Sequence, residues 1–263
     1  MRRPQRGVIC PGCPHRAAYV VVKDAVGRGR GRVTCGDAGC SAVGAVHPAA
    51  SACAGGQDVL LPRYNQPIPT GFAEEPGALR CAHFVNATAV GTDGGAPSAG
   101  QLAMEGSSAL LCVMASDARF LTEPGVTGLA HELESLGYER TSVLDPFDTS
   151  ASGEAIAALI DTGGAHAVTF SSPCAQLLRR RPGLGGPAEV DRLSCVGCQR
   201  CVQITGCPAL SFAPPSAQID PVSCTGCDLC ADYCRTRVIF SPRTGESPAA
   251  RQRRRFEAAG IVE

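Results

Sequence analysis

Cys195-Val-Gly-Cys198-Gln-Arg-Cys201, closed by Cys207-Pro208, and Cys224-Thr-Gly-Cys227-Asp-Leu-Cys230, closed by Cys234, are two copies of one pattern 29 residues apart. Three cysteines at i, i+3 and i+6, with a fourth a few residues on, are the ligand pattern of a cubane iron–sulfur cluster. A compact loop with that spacing wraps three corners of one cube. The fourth corner is filled from the other copy in two-cluster proteins. The expected sets are therefore Cys195, Cys198 and Cys201 with Cys234, and Cys224, Cys227 and Cys230 with Cys207. Gly197 and Gly226 hold the same place in each run, where backbone would pass close to sulfide and a Cβ would obstruct it.

The flanks repeat as well. Ala188-Glu-Val-Asp191 matches Ala217-Gln-Ile-Asp220, and Pro208-Ala-Leu-Ser-Phe212 loosely matches Arg237-Val-Ile-Phe240. These segments are expected to be short strands packed against the cysteine loops, making a small α+β dicluster ferredoxin domain over 186–242 with two [4Fe-4S] clusters. Zinc and disulfides are the competing uses of so many thiols. Zinc sites usually use paired C-x-x-C units rather than triplets, and disulfide scaffolds are typically far shorter than this chain. Arg235 stands where a proline would usually follow the fourth cysteine; a cation there either raises that cluster's potential or only alters a turn.

At 263 residues the chain has room for one sizeable domain beside this module. Lys and Arg total 24 against 24 Asp and Glu, so nothing in the charge calls for nucleic acid. No stretch approaches the roughly 20 apolar residues that span a membrane. The basic start Met1-Arg-Arg-Pro-Gln-Arg6 is not followed by an apolar run, so neither a secretory nor a twin-arginine signal is expected. The expectation is a cytoplasmic, oxygen-sensitive protein whose 16 cysteines largely serve metal. The run Arg251-Gln-Arg-Arg-Arg255 makes 243–263 a basic, flexible tail, able to dock an acidic partner.

Residues 8 to about 175, within a larger domain expected over 1–185, alternate apolar strand-like runs with helical patterns. A helix is expected over Ala17–Val26 and short strands at Arg32–Cys35 and Thr141–Leu144. Val85–Val90 and Ala109–Ala115 are continuous apolar runs, as for strands buried on both faces of a parallel sheet. Leu129, Leu133 and Leu136 share one face of a helix over Thr127–Leu136, ended by Gly137. Ser152 caps a helix running to about Asp161, and Ala165–Phe170 is a last strand. This alternation predicts a doubly wound α/β domain.

A second constellation lies in this domain. Cys10 and Cys13 precede the first helix, Cys40 follows the first strand in Gly36-Asp-Ala-Gly-Cys40, and Cys174 follows the last strand. Strand ends of this kind can converge on one edge of a doubly wound sheet. Either the four thiolates meet there, or Cys10-Pro-Gly-Cys13 is a redox pair and the others are lone cysteines. Cys35, Cys81 and Cys112 read as small buried residues.

Cys10-Pro-Gly-Cys-Pro-His-Arg16, Gly36-Asp-Ala-Gly-Cys40, Val143-Leu-Asp-Pro-Phe-Asp148, Pro173-Cys174 and the dicluster run occur in this order. Together they resemble the thiamine-diphosphate-dependent 2-oxoacid:ferredoxin oxidoreductases, and within them the C-terminal half of the indolepyruvate-type large subunit. The resemblance covers about residues 7 to 242. It implies that Cys10, Cys13, Cys40 and Cys174 hold a third [4Fe-4S] cluster beside thiamine diphosphate. It implies oxidative decarboxylation of a 2-oxoacid, with ferredoxin taking the electrons.

The resemblance also places Mg2+ and diphosphate contacts at Asp93, in Gly91-Thr-Asp93-Gly-Gly95, and at Asp117, in Ser116-Asp117-Ala118. The inserted Thr92 and the missing Asn make that motif degenerate. Cys53, in Ser-Ala-Cys-Ala-Gly-Gly56, and His47 fall on segments that approach the cofactor in the family, and His15 belongs to the first motif. The family's pyrimidine-binding domain is absent from this chain, so a partner subunit is expected to supply it. The alternative is a non-catalytic electron conduit that keeps a degenerate thiamine domain for its cluster and docking surface.

Overall fold

The computed structural model describes residues 9–26, 31–35, 80–92, 96, 98–102, 108–138, 140–162, 164–178 and 184–261. Strand β1 (Gly31–Cys35), β2 (Arg80–Asn86), β3 (Ser108–Ala115), β4 (Thr141–Leu144) and β5 (Gly164–Ser171) form one sheet in the order β1-β2-β3-β5-β4. Every pairing in it is parallel. The protein is therefore α/β with a parallel sheet.

The run Ala109-Leu-Leu-Cys-Val-Met-Ala115 explains why β3 is central. Successive side chains of a strand point to opposite faces, and here both faces are covered. Leu110, Cys112 and Met114 join one buried cluster with α1 (Pro14–Val26) and with Ile156, Leu159 and Ile160. Ala109, Leu111, Val113 and Ala115 join another with Leu129, Leu133 and Tyr138. Each fully buried Leu, Val or Phe contributes roughly 1.5–3 kcal/mol against exposure. Tyr19 meets the edge of Phe84 with ring centroids 4.4 Å apart.

Helix boundaries follow local chemistry. Pro14 opens α1 at a position where no N–H is needed. After the short α2 (Ala99–Leu102), α3 (Gly125–Ser135) buries Leu129 and Leu133 and stops before Gly137, whose φ is +89°. Helix α4 (Thr149–Asp161) is capped by Asp148, which accepts from Ala151 N–H, and not by Ser152. Ser152 is buried one turn in and donates to Asp145 O. The apolar run Val85–Val90 is only partly strand: β2 ends at Asn86, opposite Met114, and Ala87–Ala89 winds as a 3-10 turn. The chain leaves the sheet there, although Val90 stays buried.

Beyond α5 (Ala175–Leu178) come β6 (Glu189–Val190), α6 (Arg200–Thr205), β7 (Leu210–Ala213), β8 (Ser216–Ile219), α7 (Leu229–Asp232) and β9 (Ile239–Phe240). Strand β6 pairs with β9 and β7 with β8, both antiparallel, so each pair joins the two cysteine repeats.

The flexible tail expected over 243–263 is not what the structure holds. Helix α8 (Pro248–Ala259) starts at Ser247, whose hydroxyl accepts from Ala250 N–H, and ends at Gly260 with φ +75°. Phe256, Ala259 and Ile261 pack into the cluster under α3, and Ala258 packs with Leu178 and Leu184. The basic run is matched by acids: Arg251 with Asp232, Arg254 with Glu246, and Arg255 with Asp145. Among the described residues no helix is long and apolar enough to cross a membrane.

Candidate functional site

The two repeats surround two cavities. One is lined by Cys195, Cys198, Cys201 and Cys234; the other by Cys207, Cys224, Cys227 and Cys230. The thiols thus group four and four, along the division that the spacing suggests. The strand pairing explains the exchange. Joining β6 to β9 and β7 to β8 draws the last cysteine of each repeat toward the other repeat's loop. Among the described residues no three His, Cys, Asp or Glu side chains are grouped as ligands of one ion would be. The cysteines ring a space.

The loop geometry recurs between repeats. Gln199 and Asp228, each just after the second cysteine, take left-handed backbone with φ of +57° and +62°. Gly197 and Gly226 have φ of +67° and +73°. Their need for glycine has a different cause from the one expected. A Cβ on Gly197 would lie 2.8 Å from Pro215 O, and one on Gly226 would lie 2.5 Å from Gly186 O, so protein backbone is the obstruction. Gly226 N–H and Val238 N–H point at Cys224 Sγ and Cys234 Sγ, each at 3.4 Å. Asp228 is buried and takes a two-pronged ion pair from Arg243, whose guanidinium also donates to Leu184 O and Gly186 O. This cross-link fixes the second cysteine loop to the segment that enters the module. Arg235 is exposed.

Burial sets the thiol chemistry. It pushes Cys227 up to about 12 and raises Cys230 well above the ordinary thiol value, with neighbouring cysteines adding to both. Burial also raises Cys201 and Cys207. For Cys234 burial is outweighed by donors, Val238 N–H first, and the thiol is lowered. Left to themselves, the raised thiols are poor nucleophiles at neutral pH, and it takes a bound cation's charge to make them thiolates. This donor set, with N–H groups on sulfur and both rings closed, fits a polynuclear iron–sulfur group.

Cys10, Cys13 and Cys174 lie at the C-terminal end of the sheet. Cys13 N–H donates to Cys10 O, Gly12 between them has φ of +69°, and Cys13 is buried. Cys174 follows β5, with its N–H on Ser116 O. Two residues on, Gln176 Nε2 donates to Cys10 Sγ at 2.9 Å, so Cys10 and the Cys174 turn are neighbours. Cys40 lies outside the described residues, as do Asp93, Cys53 and His47. Asp117 is exposed; its carboxylate caps Ala118–Phe120 by accepting from Arg119 N–H and pairs with Arg119. The hydroxyls of Ser116 and Ser172, at the ends of β3 and β5, are buried without a hydrogen-bond partner among the described residues. Cys112 lies in the core.

Two residues here carried little signal in the sequence. Asn86 ends β2 and places Oδ1 3.0 Å from His15 Nε2, while His15 Nδ1 lies 3.8 Å from Cys13 Sγ. Burial lowers His15 to about 4 against the opposing Asn86 hydrogen bond, so the ring is neutral at pH 7. Arg16 is the other, 1% exposed beneath the same loop.

No family model matches the chain. It is 25% identical over 237 residues to the indolepyruvate oxidoreductase subunit IorA of Thermococcus kodakarensis, an alignment covering 80% of this chain and 36% of that protein. The IorA subunit of Pyrococcus abyssi aligns at 25% over 238 residues, covering 80% and 36%, and that of Pyrococcus horikoshii at 25% over 234 residues, covering 79% and 36%. The chain spans about a third of the length of these curated relatives. They bear out the resemblance drawn from the motifs and support a place for this chain among the indolepyruvate oxidoreductase-like 2-oxoacid:ferredoxin oxidoreductases.

Proposed function

We propose that this chain is the iron–sulfur electron-transfer part of a 2-oxoacid:ferredoxin oxidoreductase of indolepyruvate type, working with a partner subunit that carries the pyrimidine-binding domain. One observation carries the reading: eight cysteines in two repeats ring two cavities, four to each, with one cysteine of each ring taken from the other repeat. A doubly wound N-terminal domain, a ferredoxin domain over 186–242, and a third cluster on Cys10, Cys13, Cys40 and Cys174 belong to the same proposal. IorA relatives that align over about 80% of this chain support it.

Iron–sulfur clusters, when bound, supply one-electron storage at potentials set by charge, hydrogen bonds and solvent. The chain's own residues do the rest. The eight cysteines hold, Gly226 and Val238 N–H groups donate to ligand sulfur, and Leu210, Ala217 and Ile239 exclude water between the repeats. Asp117 caps a turn with its carboxylate, so no metal or diphosphate contact is assigned to it, and this chain's own part is electron transfer.

The test is anaerobic purification of the chain with its partner subunit, with iron, sulfide and thiamine quantified together and viologen reduction followed on adding 2-oxoacids. Arylpyruvate-dependent reduction is expected, with about twelve irons for three cubanes. About eight irons would remove the N-terminal cluster from the proposal. Full iron without thiamine or 2-oxoacid-dependent reduction would leave a non-catalytic conduit, and absence of iron would end the reading.

A further inference from the structure

Arg16 lies on α1 between the two cysteine systems. Its Nη1 donates to Thr205 O at 2.6 Å and Gly206 O at 2.7 Å, the two carbonyls just before Cys207. Its Nη2 donates to Ile9 O and, at 3.4 Å, to Cys10 O. One guanidinium therefore ties the loop that opens the N-terminal domain to the loop that delivers Cys207, across 190 residues of sequence. Only the planar fork of an arginine offers donors spread widely enough for four such acceptors; a lysine ammonium is a single point. These acceptors are neutral carbonyls, so the contacts leave the positive charge in place.

Two further observations put the cysteine systems side by side. The cavity ringed by Cys207, Cys224, Cys227 and Cys230 is also lined by Pro11, Gly12 and Arg16. A Cβ on Gly12 would come within 2.0 Å of Thr225 Oγ1, so the two cysteine loops touch where Gly12 meets Thr225. Burial lowers the Arg16 pKa, and the groups opposing it are Cys207, Cys13, Cys227 and Cys10, members of both systems.

We propose that Arg16 is a positioning residue shared by two iron–sulfur sites, one on the Cys10–Cys13 loop and one in the Cys207 cavity. It clamps both loops by their carbonyls and makes both sites easier to reduce with a single buried charge. The proposal rests on the iron–sulfur reading above. A cation between two sites stabilises an added electron on either side, while the cavity of Cys195, Cys198, Cys201 and Cys234 does not include Arg16 in its lining.

The experiment is a redox titration of the anaerobic full-length chain followed by electron paramagnetic resonance, with Cys198→Ser used to assign the signal of the Cys195 cavity. Arg16→Gln is expected to lower both adjacent midpoints by at least a tenfold change in the reduction equilibrium, about 59 mV for one electron, and to leave the Cys195 signal in place. Arg16→Lys keeps the charge and should keep most of both potentials. Wild-type midpoints in an Arg16→Gln protein with full iron overturn the proposal. If Arg16→Gln loses iron, Arg16→Lys decides: full iron with near wild-type midpoints supports the role, and a tenfold fall in the adjacent midpoints overturns it. Loss of iron in both variants leaves a structural clamp alone and also overturns it. A wild-type chain without these signals sinks the iron–sulfur reading itself, a result separate from any variant.

Discussion

Arg255 on α8 is ion-paired with Asp145 in the loop after β4, and its guanidinium lies 4.6 Å from the centroid of the Phe147 ring. Both charged side chains are buried, at 4% and 8% exposure. Burial raises Asp145 more than Arg255 lowers it, and burial lowers Arg255 against Asp145, so desolvation is the larger effect on each. Such a pair contributes little net stability, but breaking it strands a buried charge at roughly 3–5 kcal/mol. Asp145→Asn should cost about that much in denaturant unfolding and expose α8 to protease. The double replacement Asp145→Leu with Arg255→Met should stay near wild type. A double variant as unstable as the single would assign the pair a net stabilising role.

Gly12 pairs a φ of +69° with contact to the second cysteine loop. Gly12→Ala places a methyl 2.0 Å from Thr225 Oγ1 and strains the backbone, a cost of about 1–3 kcal/mol. The thermal midpoint should fall accordingly. Adding Thr225→Ala should restore only part, because the backbone strain persists and Thr225 Cβ stands 3.0 Å from the new methyl. Full restoration would show that the hydroxyl alone fixes the packing.

Much of the fold was legible because its cause is local. The run Ala109–Ala115 declares a doubly buried strand, and Leu129 and Leu133 declare the apolar side of α3. The cysteine spacing is equally local, and the thiols group as it suggests. Helix α8 was hidden because the partner of Arg255 lies 110 residues away. Its cap Ser247-Pro248 and stop Gly260 were readable signals, outweighed by the charge of the run between them. Arg16 was hidden for another reason: it reads backbone carbonyls, which leave no residue signature. Asp93, Cys40, Cys53 and His47 fall outside the described residues.

His83 on β2 is 3% exposed, and burial lowers it to about 4. Between that value and the ordinary histidine pKa near 6.5, the unfolded chain binds a proton that the folded chain does not. Stability is therefore complete above about pH 6.5 and falls as pH drops toward 4, by up to about 1.4 kcal/mol per pH unit for this one group. His83→Gln should flatten the acid limb of the stability curve, measured by circular dichroism at fixed temperature. Parallel acid limbs for wild type and variant would show that His83 keeps its proton on folding.

The two cysteine rings make opposite demands on the fourth member of each repeat. Cys207 lies in the first repeat but lines the cavity of Cys224, Cys227 and Cys230; Cys234 lies in the second but lines the cavity of Cys195, Cys198 and Cys201. If ligation followed sequence order, Cys207→Ser would disturb the same centre as Cys198→Ser. With the exchange, Cys207→Ser should instead disturb the same centre as Cys227→Ser, and Cys234→Ser the same centre as Cys198→Ser. Each should lose about four irons where the serine fails to hold a cube. The check is iron content with paramagnetic resonance of the four single variants, and then of the pairs. Cys207→Ser with Cys227→Ser should lose no more iron than either alone, whereas Cys207→Ser with Cys198→Ser should lose both centres. The reverse pattern would mean that each repeat closes its own ring, against the β6–β9 and β7–β8 pairing that draws the fourth cysteines across.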